Sequence, residues 1–207
     1  MNRNEVPPRN FPSREAMASD LEELGIEAEP GALRRMTDFS LILLKRSRFV
    51  NLIGPAELNR LWRRHYLESC CYSLLMESNE ETVDIGTGNG FPGLVLAILG
   101  FRMVLLEPRR KRFLFLRHAA EELGLVHCRV EQCRLEDFTD AGRPARYTAR
   151  SVAPPEKLLE IIDGISGEGS TLVCRQPGVA ADENCHRTVE LRCPPLDRSG
   201  FLVQYRV

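Results

Sequence analysis

Apolar residues in the first third of the chain recur at the three- and four-residue spacing of an amphipathic helix. Met17 and Leu21 share one face of a first helix, and Gly25 is placed to end it as a C-cap. A second helix is predicted to begin at Pro30, a residue that suits the first helical turn. A third apolar stripe predicts another helix over about 56–76.

After residue 79, short β-like runs alternate with helical segments. The predicted strands are short and mostly apolar, and they span 82–85, 103–106, 128–131, 147–151, 171–175, 189–193 and 202–206. The predicted helices between them span 92–99, 111–123 and 155–165. Such alternation is typical of a parallel sheet covered on both faces. We therefore predict an α/β fold: a doubly wound, Rossmann-like, mostly parallel sheet with an antiparallel closing strand and an N-terminal helical cap.

This pattern divides the chain into three regions. The polar, Pro-rich residues 1–14 are predicted to be a disordered lead. Residues 15–78 are predicted to form the helical cap, and residues 79–207 the ligand-binding α/β domain. A length of 207 residues, 43% of them hydrophobic, is enough for one substantial core.

Composition excludes several classes of protein. With 28 basic and 29 acidic side chains the formal net charge is −1, which excludes a histone-like polycation. No apolar run approaches the roughly 20 residues of a membrane span. Residues 1–13 carry two arginines and three prolines but no apolar core, so no secretory signal is predicted and the expected compartment is the cytoplasm.

The seven cysteines do not form a metal-binding pattern. No C-x-x-C pair occurs and no two histidines stand at ligand spacing, so no metal is predicted. Reduced thiols are the expected state.

Charge is balanced overall but clustered locally. Residues 102–117 contain six basic residues and one acidic residue, Glu107. A second basic cluster spans residues 60–65. Arginine, which dominates both clusters, favours planar contacts with phosphate and with guanine edges.

The strongest motif is a glycine-rich turn that directly follows a predicted strand. Asp84-Ile85 is followed by Gly86, Gly88 and Gly90, which gives the pattern D-x-G-x-G-x-G. This is the pattern of methyltransferases that bind S-adenosylmethionine. Residues 88–93 also match G-x-G-x-x-G, the dinucleotide pattern, so the turn alone is compatible with either cofactor.

Glu107 ends the next predicted strand, 21 residues after Gly86. A carboxylate at this place accepts hydrogen bonds from ribose hydroxyls. NAD and S-adenosylmethionine both contain a ribose, so Glu107 supports a nucleoside cofactor without choosing between them.

The combined motifs resemble the bacterial small-subunit (16S) rRNA guanine-N7 methyltransferase family (RsmG, also called GidB). The resemblance covers roughly residues 20–207, and its motifs occur in the family's order: Asn51-Leu52, Arg64-His65-Tyr66-Leu67-Glu68-Ser69, Asp84 to Gly93, Leu106-Glu107 with Lys111-Arg112 and Phe115-Leu116, Arg134 to Phe138, and Arg150 to Pro154. The specific feature is the combination of R-H-x-L-[DE]-S with G-x-G-x-G-F-P-G.

The resemblance implies S-adenosyl-L-methionine as cofactor and 16S rRNA or the small ribosomal subunit as partner, with no metal, no membrane and a monomeric protein. The implied cofactor-binding residues are Asp84, Gly86, Gly88, Gly90, Phe91, Glu107, Leu135, Glu136 and Arg150. The implied RNA-binding residues are Arg64, His65, Lys111, Arg112 and Arg175. The implied reaction is a direct displacement at guanine N7, which needs no general base, so no catalytic residue is assigned.

Three other functions remain open from the sequence. An NAD-dependent oxidoreductase is disfavoured because Tyr147 is followed four residues later by Ser151 rather than lysine. A methyltransferase of another substrate shares every cofactor motif. A non-catalytic cofactor- or RNA-binding protein is the third, since the chain departs from the family's usual residues at Ile53, Ala145 and Gln176.

Overall fold

The computed structural model of the chain describes residues 8, 10–47, 52–77, 80–139, 145–178 and 185–207. Residues 1–7 and 9 of the predicted lead lie outside these ranges, as do Asn51 of the first family motif and the predicted cap boundary at 78–79. Within the lead, Phe11 is buried, with its ring 5.8 Å from the ring of Trp62. Ordered packing therefore begins before residue 14.

Two helices open the described chain. Helix α1 spans Arg14–Glu23, and the hydroxyl of Ser13 caps it by accepting the Ala16 N–H. Helix α2 spans Pro30–Ser47 and begins at the proline, as predicted.

The predicted third helix is not continuous. It is divided into α3 (Pro55–Leu58), a π-helical segment (Leu61–Leu67), α4 (Glu68–Cys71) and a 3₁₀ turn (Tyr72–Leu75). The spacing of apolar residues indicates that one face of the segment is buried. It does not show whether the backbone hydrogen bonds are those of a 3₁₀-, α- or π-helix, which join residues three, four or five positions apart. The prediction of one helix over 56–76 is therefore wrong in continuity, although the segment is helical.

The strands form a single seven-stranded sheet. Their bounds are β1 Thr82–Ile85, β2 Met103–Leu106, β3 Cys128–Glu131, β4 Arg146–Ala149, β5 Thr171–Gln176, β6 Cys185–Leu191 and β7 Gly200–Arg206. The spatial order is β3-β2-β1-β4-β5-β7-β6. Strands β1 to β5 pair in parallel, and β7 runs antiparallel between β5 and β6. The predicted doubly wound sheet with an antiparallel closing strand is confirmed.

Helices cover both faces of this sheet. Helices α5 (Gly93–Ile98) and α6 (Arg110–Glu122) pack on one face, and α7 (Pro155–Ser166) on the other. Every residue of α5 is buried, because α2 and α4 cover the side of α5 that faces away from the sheet. A continuous apolar sequence in a helix is expected for this position.

The N-terminal helices share one core with α5 and α6. Phe39 of α2 is fully buried, and its ring lies 5.5 Å from Phe91, 5.6 Å from Tyr66 and 6.4 Å from Phe115. These rings join α2 and the π-helical segment to the turn after β1 and to α6. No helix of the described residues is both long enough and apolar enough to cross a bilayer.

Candidate functional site

The site lies at the carboxyl ends of the parallel strands. The chain leaves β1 for β2 on one side, whereas β4 pairs with β1 on the other, so a crevice opens between β1 and β4. A cleft of about 350 Å³ occupies this position. Its walls come from α3 and the loop before it, the π-helical segment and α4, the glycine turn, α6, the residues after β4 and the loop between β6 and β7. The lining residues are Leu52, Ile53, Gly54, Glu57, Arg64, His65, Glu68, Gly86, Thr87, Gly88, Asn89, Phe91, Arg112, Arg150, Ser151 and Arg198.

The glycine turn brings bare backbone to the floor of this cleft. Gly86, Gly88 and Gly90 have φ angles of +60°, +62° and +94°, in the left-handed region that side chains with a Cβ rarely adopt. Gly86 and Gly88 line the cleft, whereas Gly90 packs beneath it against Phe39 and Leu94. Gly86 and Gly88 therefore present their main chain to the cleft, and a Cβ on Gly86 would meet the Val152 side chain at 3.1 Å.

Asp84 holds the turn from below. Its side chain is fully buried; Oδ2 accepts the Gly93 N–H at 2.8 Å, and Oδ1 accepts the Thr148 hydroxyl at 2.9 Å. Burial raises the pKa of Asp84 to about 6. The carboxylate ties β1 to β4 and to the start of α5, and it does not line the cleft. A direct contact between Asp84 and a cofactor stays a prediction.

Arg150 and His65 form one wall of the cleft. Arg150 Nη2 lies 3.0 Å from His65 Nδ1, and Nη1 donates to the Arg64 carbonyl at 3.2 Å. His65 Nε2 lies 2.9 Å from a carboxylate oxygen of Glu57. The Arg150 guanidinium also lies over the Phe91 ring, 5.4 Å from its centroid. Phe91 and Arg150, both predicted cofactor residues, are thus brought together.

Glu68 joins two arginines beneath this wall. It is 2% exposed; Oε1 lies 3.4 Å from Arg150 Nη1, and Oε2 accepts from Arg175 Nε at 2.9 Å. Arg64 is paired as well, with Nε 2.9 Å from Glu57 Oε2. Of the predicted RNA-binding side chains, Arg64, His65 and Arg175 therefore hold partners within the protein.

Three predicted cofactor residues lie at the same sheet edge but outside the cleft lining. Glu107 is buried at the end of β2, where its Oε1 accepts the Arg109 N–H at 2.8 Å. Leu135 and Glu136 fall in a 3₁₀ turn, Leu135–Asp137, that follows β3. Leu135 is buried and Glu136 exposed.

The predicted basic pair at the start of α6 is split between two environments. Arg112 is half-buried and lines the cleft beside Gly88, whereas Lys111 is exposed and points outside it. Of the three departures from the family pattern, Ile53 lines the cleft. Just before β4, the Ala145 N–H donates a hydrogen bond to the Ser170 hydroxyl oxygen, and Gln176 is the last residue of β5.

Comparison with known proteins shows which family the chain belongs to. The family described as rRNA small subunit methyltransferase G matches residues 32–190. Proteins named ribosomal RNA small subunit methyltransferase G are similar to it: one from Halorhodospira halophila at 37% identity over 74% of this chain and 72% of the relative, and one from Leifsonia xyli subsp. xyli at 34% over 76% and 80%. The chain belongs to this family. The resemblance inferred from its motifs is confirmed.

Solved structures agree with the fold of this rRNA small subunit methyltransferase G family member. A SAM-dependent methyltransferase from Aquifex aeolicus superposes with a TM-score of 0.55 at 13% identity, covering 77% of this chain and 96% of the other. An RNA methyltransferase from Salinibacter ruber in complex with S-adenosyl-L-homocysteine gives 0.52 at 16%, covering 75% and 92%. At these identities the likeness supports the fold alone.

Several cleft residues were not predicted from the sequence: Glu57, Glu68, Asn89 and Arg198. Glu68 lies inside the R-H-Y-L-E-S motif, yet nothing in the motif shows that its partners are Arg150 and Arg175. The side chain of Asn89 donates to the Leu52 carbonyl, and its Oδ1 is buried with no partner among the described residues.

Within the described residues, no group of histidine, cysteine and acidic side chains forms a metal site. The seven cysteines are all free thiols; Cys70, Cys71 and Cys174 are buried, and Cys193 is exposed. Burial raises the pKa of Cys71 to about 12 and that of Cys174 to about 11, so neither is a thiolate at neutral pH.

Proposed function

We propose that this chain is an S-adenosyl-L-methionine-dependent methyltransferase that transfers a methyl group to N7 of a guanine in 16S rRNA. The observation that carries the proposal is the glycine turn of Gly86 and Gly88, with positive φ, at the strand crossover of a member of the rRNA small subunit methyltransferase G family. The methyl donor and the rRNA substrate follow from that membership, and the chemistry of the cleft is compatible with both.

The cleft fits the methyl donor. Gly86 and Gly88 offer a surface without side chains, against which the amino-acid end of the cofactor packs. The unpartnered Oδ1 of Asn89 is an acceptor suited to the ammonium group. Glu107 uses one carboxylate oxygen for the Arg109 N–H, and the other is assigned to the ribose hydroxyls. The backbone at Leu135 and Glu136 is assigned to the adenine edge.

The reaction needs little from the protein beyond position. When bound, S-adenosylmethionine supplies a methyl group on a sulfonium. Held against Gly86 and Gly88, it would supply this methyl group for direct displacement by the N7 lone pair, and the carbon–sulfur bonding pair would leave with sulfur. Because N7 carries no proton, no general base is required. The chain must hold N7 in line with the methyl group at about 3 Å.

The side chains of the cleft agree with such a reaction. Burial, reinforced by Arg150, lowers the pKa of His65 to about 4, so the imidazole is neutral at pH 7 and both nitrogens are engaged. His65 is therefore a positioning residue, which holds Arg150 in place, and does not act as an acid or a base. Arg150 is paired with Glu68, so its charge is offset beside a cationic cofactor.

The experiment is transfer of tritiated methyl from S-adenosylmethionine to small ribosomal subunits that lack 7-methylguanosine, followed by nucleoside analysis. Labelled 7-methylguanosine is expected, and Glu107→Ala or Gly86→Asp is expected to abolish it by weakening cofactor binding. Glu190→Ala, which removes an exposed carboxylate on β6, is the matched control.

Two other results have definite meanings. Cofactor binding by calorimetry without labelled rRNA would support another substrate or a non-catalytic protein. Absence of both binding and label would contradict the assignment of the glycine turn.

A further inference from the structure

The loop between β6 and β7, residues 192–199, closes one side of the cleft. The Asp197 carboxylate accepts from Arg60 Nε at 3.0 Å and lies 3.5 Å from Arg64 Nη1. Two residues later, the Ser199 carbonyl accepts from Arg175 Nη2 at 2.8 Å. The residues on both sides of Arg198 are thus fixed, one to the cap and the other to β5.

The next residue makes this attachment tighter. A Cβ on Gly200 would lie 2.9 Å from Arg175 Nη2 and 2.9 Å from the Gln176 carbonyl. Because real side chains do not approach so closely, the loop reaches β5 only where the chain has no side chain. The backbone that presents Arg198 is therefore held in a defined place.

The side chain of Arg198 lines the cleft, yet it has no hydrogen bond or ion pair within the described part of the chain. Burial, followed by the charges of Arg64 and Arg175, lowers the pKa of Arg198 and outweighs the opposite effect of Glu68 and Asp197. Arg64 and Arg175 are already paired with Glu57 and Glu68. A third guanidinium at this place is unfavourable for the free protein and favourable once an anion is bound.

Arg112 approaches the same cleft from the other end of the sheet edge. It follows β2, on the far side of β1, whereas Arg198 precedes β7, beyond β4 and β5. Arg112 Nη1 lies 3.8 Å from the position of a Cβ on Gly88, and it too has no described ion-pair partner. Two guanidinium groups with no ion-pair partner among the described residues thus line the cleft that contains the glycine turn.

We propose that Arg198 binds a backbone phosphate of the RNA substrate at the cleft mouth, opposite Arg112. The proposal rests on the proposed function, since it assumes that RNA enters this cleft. Phosphate, like carboxylate, is an anion that arginine binds with two parallel hydrogen bonds. The carboxylate of the cofactor is another anion within this chemistry, and the experiment separates the two.

The test compares Arg198→Gln with Arg198→Lys and with Arg192→Gln, an exposed arginine of the same loop that pairs with Glu190. Binding of unmodified 16S rRNA transcript is measured against salt concentration, and binding of S-adenosyl-L-homocysteine by calorimetry. Arg198→Gln is expected to weaken RNA binding roughly tenfold and to make the log–log salt slope shallower by about 0.7–0.9. Arg198→Lys should restore most of both, Arg192→Gln should change neither, and S-adenosyl-L-homocysteine should bind all variants alike.

Two results would overturn the proposal. A loss of S-adenosyl-L-homocysteine affinity with an unchanged RNA salt slope would assign Arg198 to the cofactor carboxylate. Unchanged binding of both rRNA and S-adenosyl-L-homocysteine would mean that Arg198 is an ordinary solvated cation. If the wild-type protein neither binds nor methylates rRNA, the proposed function fails first, which the wild-type measurement reveals independently of the variants.

Discussion

Arg150 Nη2 lies 3.0 Å from Nδ1 of His65, so this ring nitrogen accepts a hydrogen bond and carries no proton. The remaining proton is therefore on Nε2, directed to Glu57 at 2.9 Å. This arrangement fixes the tautomer and the protonation state of His65 without any contact to a substrate.

The first prediction concerns His65 and pH. Its folded pKa of about 4 lies below the ordinary 6.5, so the unfolded chain binds the proton first as pH falls. Wild-type stability should lose about 3 kcal/mol from this source between pH 7 and pH 4. His65→Gln lacks the effect, so the stability difference between wild type and variant should narrow toward acid. Urea unfolding at several pH values measures it, and a difference independent of pH would contradict the neutral, buried assignment.

The contribution of Asp84 to folding stability should change with pH in the opposite direction. Its folded pKa of about 6 lies above the ordinary 3.8, so the folded chain holds the proton longer and stability falls as pH rises from 4 to 6. The size of this effect is about 3 kcal/mol. Asp84→Asn lacks it, so wild type should exceed the variant by more at pH 4 than at pH 7. The same unfolding series tests both residues, and parallel curves for wild type and Asp84→Asn would refute the assignment.

Glu68 should be critical for stability because it is the shared partner of two arginines. Glu68→Gln leaves Arg150 and Arg175 without a counter-charge in a site where Glu68 is 2% exposed. The expected loss is about 3 kcal/mol, as for other buried pairs broken from one side. Glu190→Gln removes an exposed pair and should cost under about 1 kcal/mol. Denaturant midpoints compare the two, and equal small losses would mean that Glu68 is solvated in solution.

Two glycines in helices should respond differently to alanine. A Cβ on Gly93 would lie 2.4 Å from Leu105 Cδ2 and 2.5 Å from Asp84 Oδ2, whereas one on Gly164 in α7 meets nothing within 4 Å. Gly93→Ala should therefore destabilise by roughly 2 kcal/mol or more and weaken cofactor binding. Gly164→Ala should stabilise by about 0.5–1 kcal/mol, because the unfolded chain loses freedom. Thermal unfolding with calorimetry distinguishes them, and similar Tm values would contradict the close packing of α5 on β1.

The two basic residues at the start of α6 should differ in their effect on RNA. Arg112 lines the cleft and Lys111 does not, so Arg112→Ala should reduce methyl transfer more than Lys111→Ala. Both changes should weaken RNA binding and flatten its salt dependence. Single-turnover methylation and filter binding provide the measurements. Unchanged affinity and salt slope in both variants would remove α6 from the RNA-binding surface.

The sheet was predictable because its evidence is local. Strands such as β1 and β2 are short apolar runs with a turn signal on each side, and their predicted bounds agree with the structure. The glycine turn was predictable for the same reason, since it follows a strand directly. The cleft wall was not, because its contacts are distant in sequence. Glu68 and Arg175 are separated by 107 positions, and no periodicity connects them.

The position of β7 in the sheet has a consequence for how the chain folds during its synthesis on the ribosome. This strand lies between β5 and β6, although it follows both in sequence. Until it leaves the exit tunnel, β5 has an open edge and β6 has no neighbour. Residues 197–199, which directly precede β7, are then not yet held beside β5 to close the cleft. At the usual 5–20 residues per second, most of the chain emerges seconds before this pairing is possible. A nascent chain halted before β7 should therefore contain the glycine turn but no finished binding cleft.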